Sequence, residues 1–353
     1  MKLSYLAIII ITISCFCGLK GLNGQNLDSL NTVYRSQKGE KKAETGFILA
    51  NQYFKSRNFD SALYVLDDVL ERLPSRASTI KGNLVKLKGN IYLKKNQPNE
   101  ALQWYEKALE IYQKTDNHDG IEAIYNNLGL VYNILGETDK SIEYLEKSAI
   151  EAEKNGNFAS QAKTLHNIGY HFEKLSIYDK ALEYYLRSLK IKEQFDPNNI
   201  ANTINNIGNI YYYTKDYQKA LQFYEKAYDL SVEKKSPEEM AIRLSNVGMV
   251  LKQMGRTKEA IEKMIESLTM YEDLKDPSNL GRVQTLIGSF LTDVGDYTRS
   301  LEYFYLAMNN YKIAGDSVRM AQNYFNIANS LSLQKRYTEA IEYLNPKLSL
   351  ELE

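Results

Sequence analysis

Asn126-Asn127-Leu128-Gly129-Leu130-Val131-Tyr132 and Asn205-Asn206-Ile207-Gly208-Asn209-Ile210-Tyr211 are one phrase written twice. The small residue at its centre recurs at Ala50, Gly89, Gly129, Gly169, Gly208, Gly248, Gly288 and Ala328, in steps of 39 or 40 residues. Six of the nineteen glycines of the chain occupy this one slot, so a fixed internal period governs the sequence. Twelve residues after each anchor comes a second small residue: Ala62, Ala101, Ser141, Ala181, Ala220, Ala260, Ser300 and Ala340. Four residues further on stands a bulky one: Leu66, Tyr105, Leu145, Tyr185, Tyr224, Met264, Phe304 and Leu344. Another bulky residue follows the first anchor by three, Tyr or Phe in the first five units and Leu in the last three. Apolar spacing within each half is 3–4, the helical period, so each unit predicts two helices. Glycine inside a helix costs about 0.5–1 kcal/mol against alanine. Its recurrence therefore marks a place where two backbones must approach, with Tyr and Leu filling the space beside it. The count of 28 Tyr against one Trp follows from that repeated filling.

The punctuation agrees. Pro197, Pro237 and Pro277 are each preceded by Asp196, Ser236 or Asp276, an N-cap followed by proline at the first helical position. Gly136, Gly255 and Gly295 stand seven residues after an anchor, where a first helix should end. The pattern resembles the tetratricopeptide repeat (TPR), with Leu-Gly-x-x-Tyr in its first helix and Ala-x-x-x-Tyr-x-x-Ala in its second. A period of 40 is similar to the longer variety in kinesin light chains and in the sensor regions of bacterial histidine kinases and regulators. The resemblance implies an all-α, right-handed superhelical solenoid of about eight helix-turn-helix units across residues 43–353, after a lead-in at 25–42. Two positions depart from the pattern. Lys88 replaces the apolar residue before Gly89, and Pro346 falls inside the last helix, so the eighth unit is expected to be irregular or truncated and frayed from about residue 345.

Residues 1–24 read as an export address. Lys2 precedes an apolar run from Leu6 through Cys17, too short to span a bilayer comfortably but suited to a signal-peptide core. Gly24 is the candidate small residue before cleavage. Ile13-Ser14-Cys15 resembles the end of a lipoprotein signal, which leaves lipidation at Cys15, or retention as an uncleaved anchor, as alternatives. Membrane contact is then expected only through that N-terminus. Both cysteines lie in this segment, so a chain starting at Gln25 has neither a disulfide nor a thiolate site. Loss of Lys2 and Lys20 leaves 42 basic against 44 acidic residues, a net charge of −2, which argues against a nucleic-acid partner.

In TPR proteins the first helices line the concave face of the array. The resemblance then assigns to the groove Asn127 from the third unit and Lys163, Asn167 and Tyr170 from the fourth. The later units add Asn202, Asn206, Asn209, Tyr212, Tyr213, Asn246 and Arg282. Asn two residues before the anchor recurs at Asn127, Asn167, Asn206, Asn246 and Asn326. An amide offers a donor and an acceptor in one plane, which matches an extended peptide main chain. The other reading of the same ladder is contact between helices. Lys163 with Asn167, Asn206 and Arg282 partly match a TPR carboxylate clamp, but Leu286 stands where a second basic residue is wanted.

His118, placed in an inter-unit loop, and His166 and His171, five apart on one helix, do not have metal-ligand spacing. No phosphate-binding glycine loop, nucleophile motif or paired acid and base emerges from the repeat. The expectation is a non-enzymatic protein- or peptide-binding module without cofactor, periplasmic or at the cell envelope, as the sensory part of a bacterial signalling protein lacking its output domain. A structural or assembly scaffold at the envelope is the alternative.

Overall fold

The computed structural model describes residues 27–74, 76 and 78–344. The export segment with Cys15, and Pro346 with the expected frayed end, lie outside these residues. Seventeen α-helices run from Leu27–Ser36 to Tyr337–Leu344, and no strand occurs among the described residues. After the lead-in helix they alternate as first and second helices of eight units, beginning with Gly39–Lys55 and Phe59–Arg72. The lead-in is thus itself helical, its Leu30 and Tyr34 buried in the core of the first pair, and residues 39–42 already belong to the first turn of the next helix. Two compact units divide the chain, Met1–His171 and Phe172–Glu353.

The anchor slot works by steric demand. A Cβ built on Gly89 would lie 2.6 Å from the ring of Tyr105, one on Gly208 2.8 Å from Tyr224, and one on Gly288 2.6 Å from Phe304. These are the residues sixteen positions later in the repeat. At Gly129 and Gly248 backbone carbonyls of the facing helix lie 3.2 and 3.1 Å away, so no rotamer change could make room. Where the second small residue is serine, its hydroxyl finds a partner: Ser141 donates to the Gly129 oxygen at 2.8 Å, and Ser300 pairs with the Thr292 hydroxyl at 2.5 Å. A second close approach lies seven residues before the anchor, where Gly82 meets Tyr112 and Gly281 meets Tyr311.

The turns repeat as strictly as the helices. All eight residues seven after the anchor have left-handed φ, including Gly136, Gly255 and Gly295 as expected, but also Arg57, Asn96, Ser176, Lys215 and Lys335. Side-chain oxygens then cap the second helix in several units, as Asn58 does for the Ser61 N–H at 3.3 Å, and between units they cap the first, as Asn117 does for Gly120 at 2.7 Å and Asp276 for Asn279 at 3.1 Å. Each such cap stabilises its helix by about 1 kcal/mol.

Two of the three Asp/Ser-Pro pairs depart from their expected role. Ser236 precedes a helix that opens on Pro237, but its hydroxyl caps nothing. Pro197 opens only a 3-10 turn, Pro197–Asn199, and the helix starts at Ala201. There the left-handed residue that precedes the cap in other units is missing: Asp196 has φ −152 against −108 at Ser236 and −103 at Asp276, and its carboxylate is taken by the Asn199 amide at 2.8 and 3.0 Å instead of by backbone. Lys88 keeps the facing of the apolar residue it replaces. Its side chain is buried, its ammonium bonded to Asp67 and set 4.0 Å over the Trp104 ring.

Candidate functional site

The groove residues fall into both compact units and are described in each. In Met1–His171, the Asn127 amide donates to Asn90 Oδ1 at 3.2 Å, and Asn90 also accepts the Tyr105 hydroxyl at 2.8 Å. Asn90 follows the anchor of the preceding unit, so this amide ties consecutive first helices together. One unit later the position equivalent to Asn90 is Leu130, which has no acceptor, and Asn167 stays half-buried without that bond. Lys163 is exposed and Tyr170 is 46% exposed.

In Phe172–Glu353 the residues gather into two clusters. The first is aromatic. Tyr213, 49% exposed, stacks on Tyr178 with centroids 5.5 Å apart, and Tyr212 lies against both Tyr213 and Tyr217. Beside them Tyr185 donates its hydroxyl to Glu173 at 2.6 Å and accepts from Asn206 at 3.3 Å. Asn209 accepts the Tyr224 hydroxyl at 2.9 Å. Burial, with the Glu173 carboxylate nearby, pushes the Tyr213 phenol above its ordinary pKa.

The second cluster centres on Arg243, which the sequence reading did not single out. Its side chain is buried, with Nη2 donating to Asn202 Oδ1, while Nε has no partner among the described residues. Tyr271 is fully buried beside it, flanked from the next first helix by Arg282. Glu239 Oε1 takes Lys234 at 2.9 Å, and its Oε2 is buried and unpartnered. The Asn246 amide donates to Asn205 at 2.7 Å, and Arg282 Nε donates to Asn279 at 3.2 Å. Burial is the main cause that lowers the Arg243 pKa, opposed by Glu239 and Tyr271. The signal for Arg243 was present in the repeat. Its slot, five before the anchor, otherwise holds Thr45, Leu84, Ile124, Thr164, Thr203, Val283 and Asn323, all buried.

The asparagine ladder is therefore engaged within the chain at Asn127 and Asn246, each donating an amide bond, and at Asn206, which donates to Tyr185 and accepts the Asn205 amide at 3.4 Å. The remaining donor and acceptor capacity of the half-buried Asn127 and Asn246 amides is what a ligand could use.

His166 and His171 share the Phe158–Lys174 helix as expected, but His118 departs from its expected placement. His118 is not in a loop but opens the His118–Ile134 helix, its Nδ1 2.5 Å from Glu151 Oε1. That hydrogen bond raises its pKa, whereas burial lowers that of His171. The two should titrate on opposite sides of 6.5 in an NMR titration, and Glu151→Gln should return His118 to the ordinary range. The His118–Glu151 contribution to stability is then full below 6.5 and fades as pH rises through the folded-state value. Coincident titration of the two rings would refute this. Among the described residues, no three His, Cys, Asp or Glu side chains are grouped to hold a metal ion, and no helix is long and apolar enough to cross a membrane.

No curated protein matches the chain. Solved structures do, at identities that show fold alone. The quorum sensor NprR of Bacillus thuringiensis, in its apo form, is 17% identical, with a TM-score of 0.60 over 89% of this chain and 88% of that one. A signal-transduction ATPase of Pyrococcus horikoshii with a tetratricopeptide repeat sensor is 15% identical, TM-score 0.61, over 88% of this chain and 52% of that one. A repeat-containing protein of Cytophaga hutchinsonii is 17% identical, TM-score 0.52, over 85% of this chain and 99% of the solved part. The tetratricopeptide repeat family model matches residues 83–149, 160–231 and 279–345, more than half of the sequence. With helix pairs running through all three matched stretches, the chain belongs to the tetratricopeptide repeat family.

Proposed function

We propose that the chain is a non-enzymatic module that binds a protein or peptide ligand on the first-helix faces of residues 172–353, and that it does so after export to the cell envelope as the sensory part of a signalling protein. The observation that carries this reading is the half-exposed Tyr213–Tyr178 stack beside the Asn206–Tyr185–Glu173 chain. Aromatic rings offer apolar area for ligand side chains, and neighbouring amides offer hydrogen bonds to a main chain. Sensors of similar fold, the quorum sensor and the ATPase among them, support the signalling part by analogy.

Tyr212→Ala/Tyr213→Ala is expected to weaken capture of a ligand from envelope extract at least about tenfold with helix content unchanged. A partner that the double variant binds with wild-type affinity would move the binding surface off this face. The scaffold reading is favoured by one observation, the internal engagement of the asparagine ladder. On that reading Asn167→Ala/Asn206→Ala/Asn246→Ala lowers stability and leaves affinity unchanged.

A further inference from the structure

Within Met1–His171, a cavity of about 360 Å3 opens where the Leu27–Ser36 helix turns into Gly39–Lys55. Arg35, Lys38, Lys42 and Arg72 line it, and no carboxylate does. Val69 and Leu73 supply an apolar wall. The four cations come from different elements: the end of the lead-in helix, the turn after it, the first turn of the next helix, and the end of Phe59–Arg72.

Asp68 stands behind the cavity and orients two of them. It accepts Lys42 at 2.9 Å and Arg72 Nε at 2.7 Å, together with the Tyr34 hydroxyl, and these bonds hold its carboxyl at about 2. A single carboxylate cannot neutralise four cations, and Arg35 and Lys38 have no acidic partner among the described residues. The Gly39–Lys55 helix begins at the same cavity, and no side chain caps its first turn. Backbone N–H groups and converging cations are together suited to an anion with several oxygens. A carboxylate offers two oxygens and one charge. A phosphate ester presents three or more oxygens around one centre, which suits cations approaching from several elements.

We infer that this cavity binds a phosphate-ester group, with Arg35, Lys42 and Arg72 around the oxygens and the Val69–Leu73 wall against the carbon attached to them. The ester can belong to a soluble organophosphate or to an anionic lipid headgroup, since the chemistry recognised is the same. This inference is independent of the groove reading and stands or falls separately.

The test uses the purified full chain, titrated with glycerol 3-phosphate and, separately, with vesicles of phosphatidylglycerol or of phosphatidylcholine. The variant is Arg35→Gln/Lys38→Gln, two exposed side chains whose loss leaves the Asp68 bonds intact. Saturable binding of glycerol 3-phosphate, weakened at least about tenfold in the variant, supports a soluble ester. Binding to phosphatidylglycerol alone, weakened likewise, supports a headgroup. In a chain labelled with 15N-glycine, the Gly39 amide should move during either supporting titration. No binding of either probe, wild-type affinity in the double variant, or equal binding to phosphatidylcholine vesicles overturns the inference.

Discussion

Gly208→Val is expected to destabilise the Ala201–Tyr213/Tyr217–Glu233 pair by about 3 kcal/mol or more. Its first added carbon would lie 2.8 Å from Cδ1 and Cε1 of Tyr224 and 3.4 Å from Phe223 Cβ. The Tyr224 ring is 1% exposed and its hydroxyl is anchored on Asn209 at 2.9 Å, so it cannot swing aside without losing both burial and that bond. Repeat proteins lose structure unit by unit, because each repeat contacts only its neighbours. Hydrogen exchange should therefore show protection lost first over 201–233, with the Gly39–Lys55 pair unaffected. Adding Tyr224→Ala to Gly208→Val should recover part of the loss, since the clash is with that ring. Gly295→Ala is the control for backbone effects. Nothing lies within 4 Å of its added carbon, and only its φ of 81° opposes the change, at a cost of about 1–2 kcal/mol. Wild-type protection in Gly208→Val would mean that the anchor glycines are not there for close approach.

The anchors were legible because a packing demand recurring every 39 or 40 residues leaves a pattern that no single helix could show. Gly89 above Tyr105 and Gly288 above Phe304 are pairs that spacing alone selects. The second contact, Gly82 on Tyr112, was harder to see, since its slot is filled by alanine or even Glu122 elsewhere. Glu122 itself is buried, satisfied by the Ser160 hydroxyl and by Asn157 at 3.3 Å. Such a compensation depends on residues about one period away and leaves no mark on local periodicity. The site was legible only in part for a related reason. Groove positions follow from the repeat register, but the partners of Asn127, Asn206 and Asn246 lie on three different slots, Asn90, Tyr185 and Asn205. The residue type at those slots decides whether such an amide finds a neighbour, as Asn90 against Leu130 does for Asn127 and Asn167. Left-handed turns at Lys215 and Lys335 were likewise invisible, because lysine does not announce that conformation as Gly136 does.

Arg243 allows stability and binding to be separated. Asn202→Ala should destabilise the chain by about 2 kcal/mol, because it strips a buried guanidinium of the acceptor on its Nη2 and leaves the charge in place. Arg243→Leu should leave stability within about 1 kcal/mol of wild type or raise it. It removes an orphan donor and restores the apolar character that Leu84, Ile124 and Val283 have in the same slot, while Glu239 keeps Lys234 at 2.9 Å. Urea midpoints for the two variants decide the order. An Arg243→Leu chain that unfolds more readily than Asn202→Ala would show that the guanidinium is needed to hold its own repeat together. The expected order has a consequence for function. A buried cation that the fold would do as well without is where a local packing rule has been broken with no return in stability, and such breaks concentrate at sites of use. The unpartnered Arg243 Nε, the Tyr271 hydroxyl and Glu239 Oε2 lie in the part of residues 172–353 to which Asn202 and Arg282 were assigned. A ligand carrying a donor and an anionic acceptor would satisfy all three. Loss of ligand binding in Arg243→Leu without loss of stability would then identify this cluster, rather than the asparagine ladder, as the polar centre of recognition.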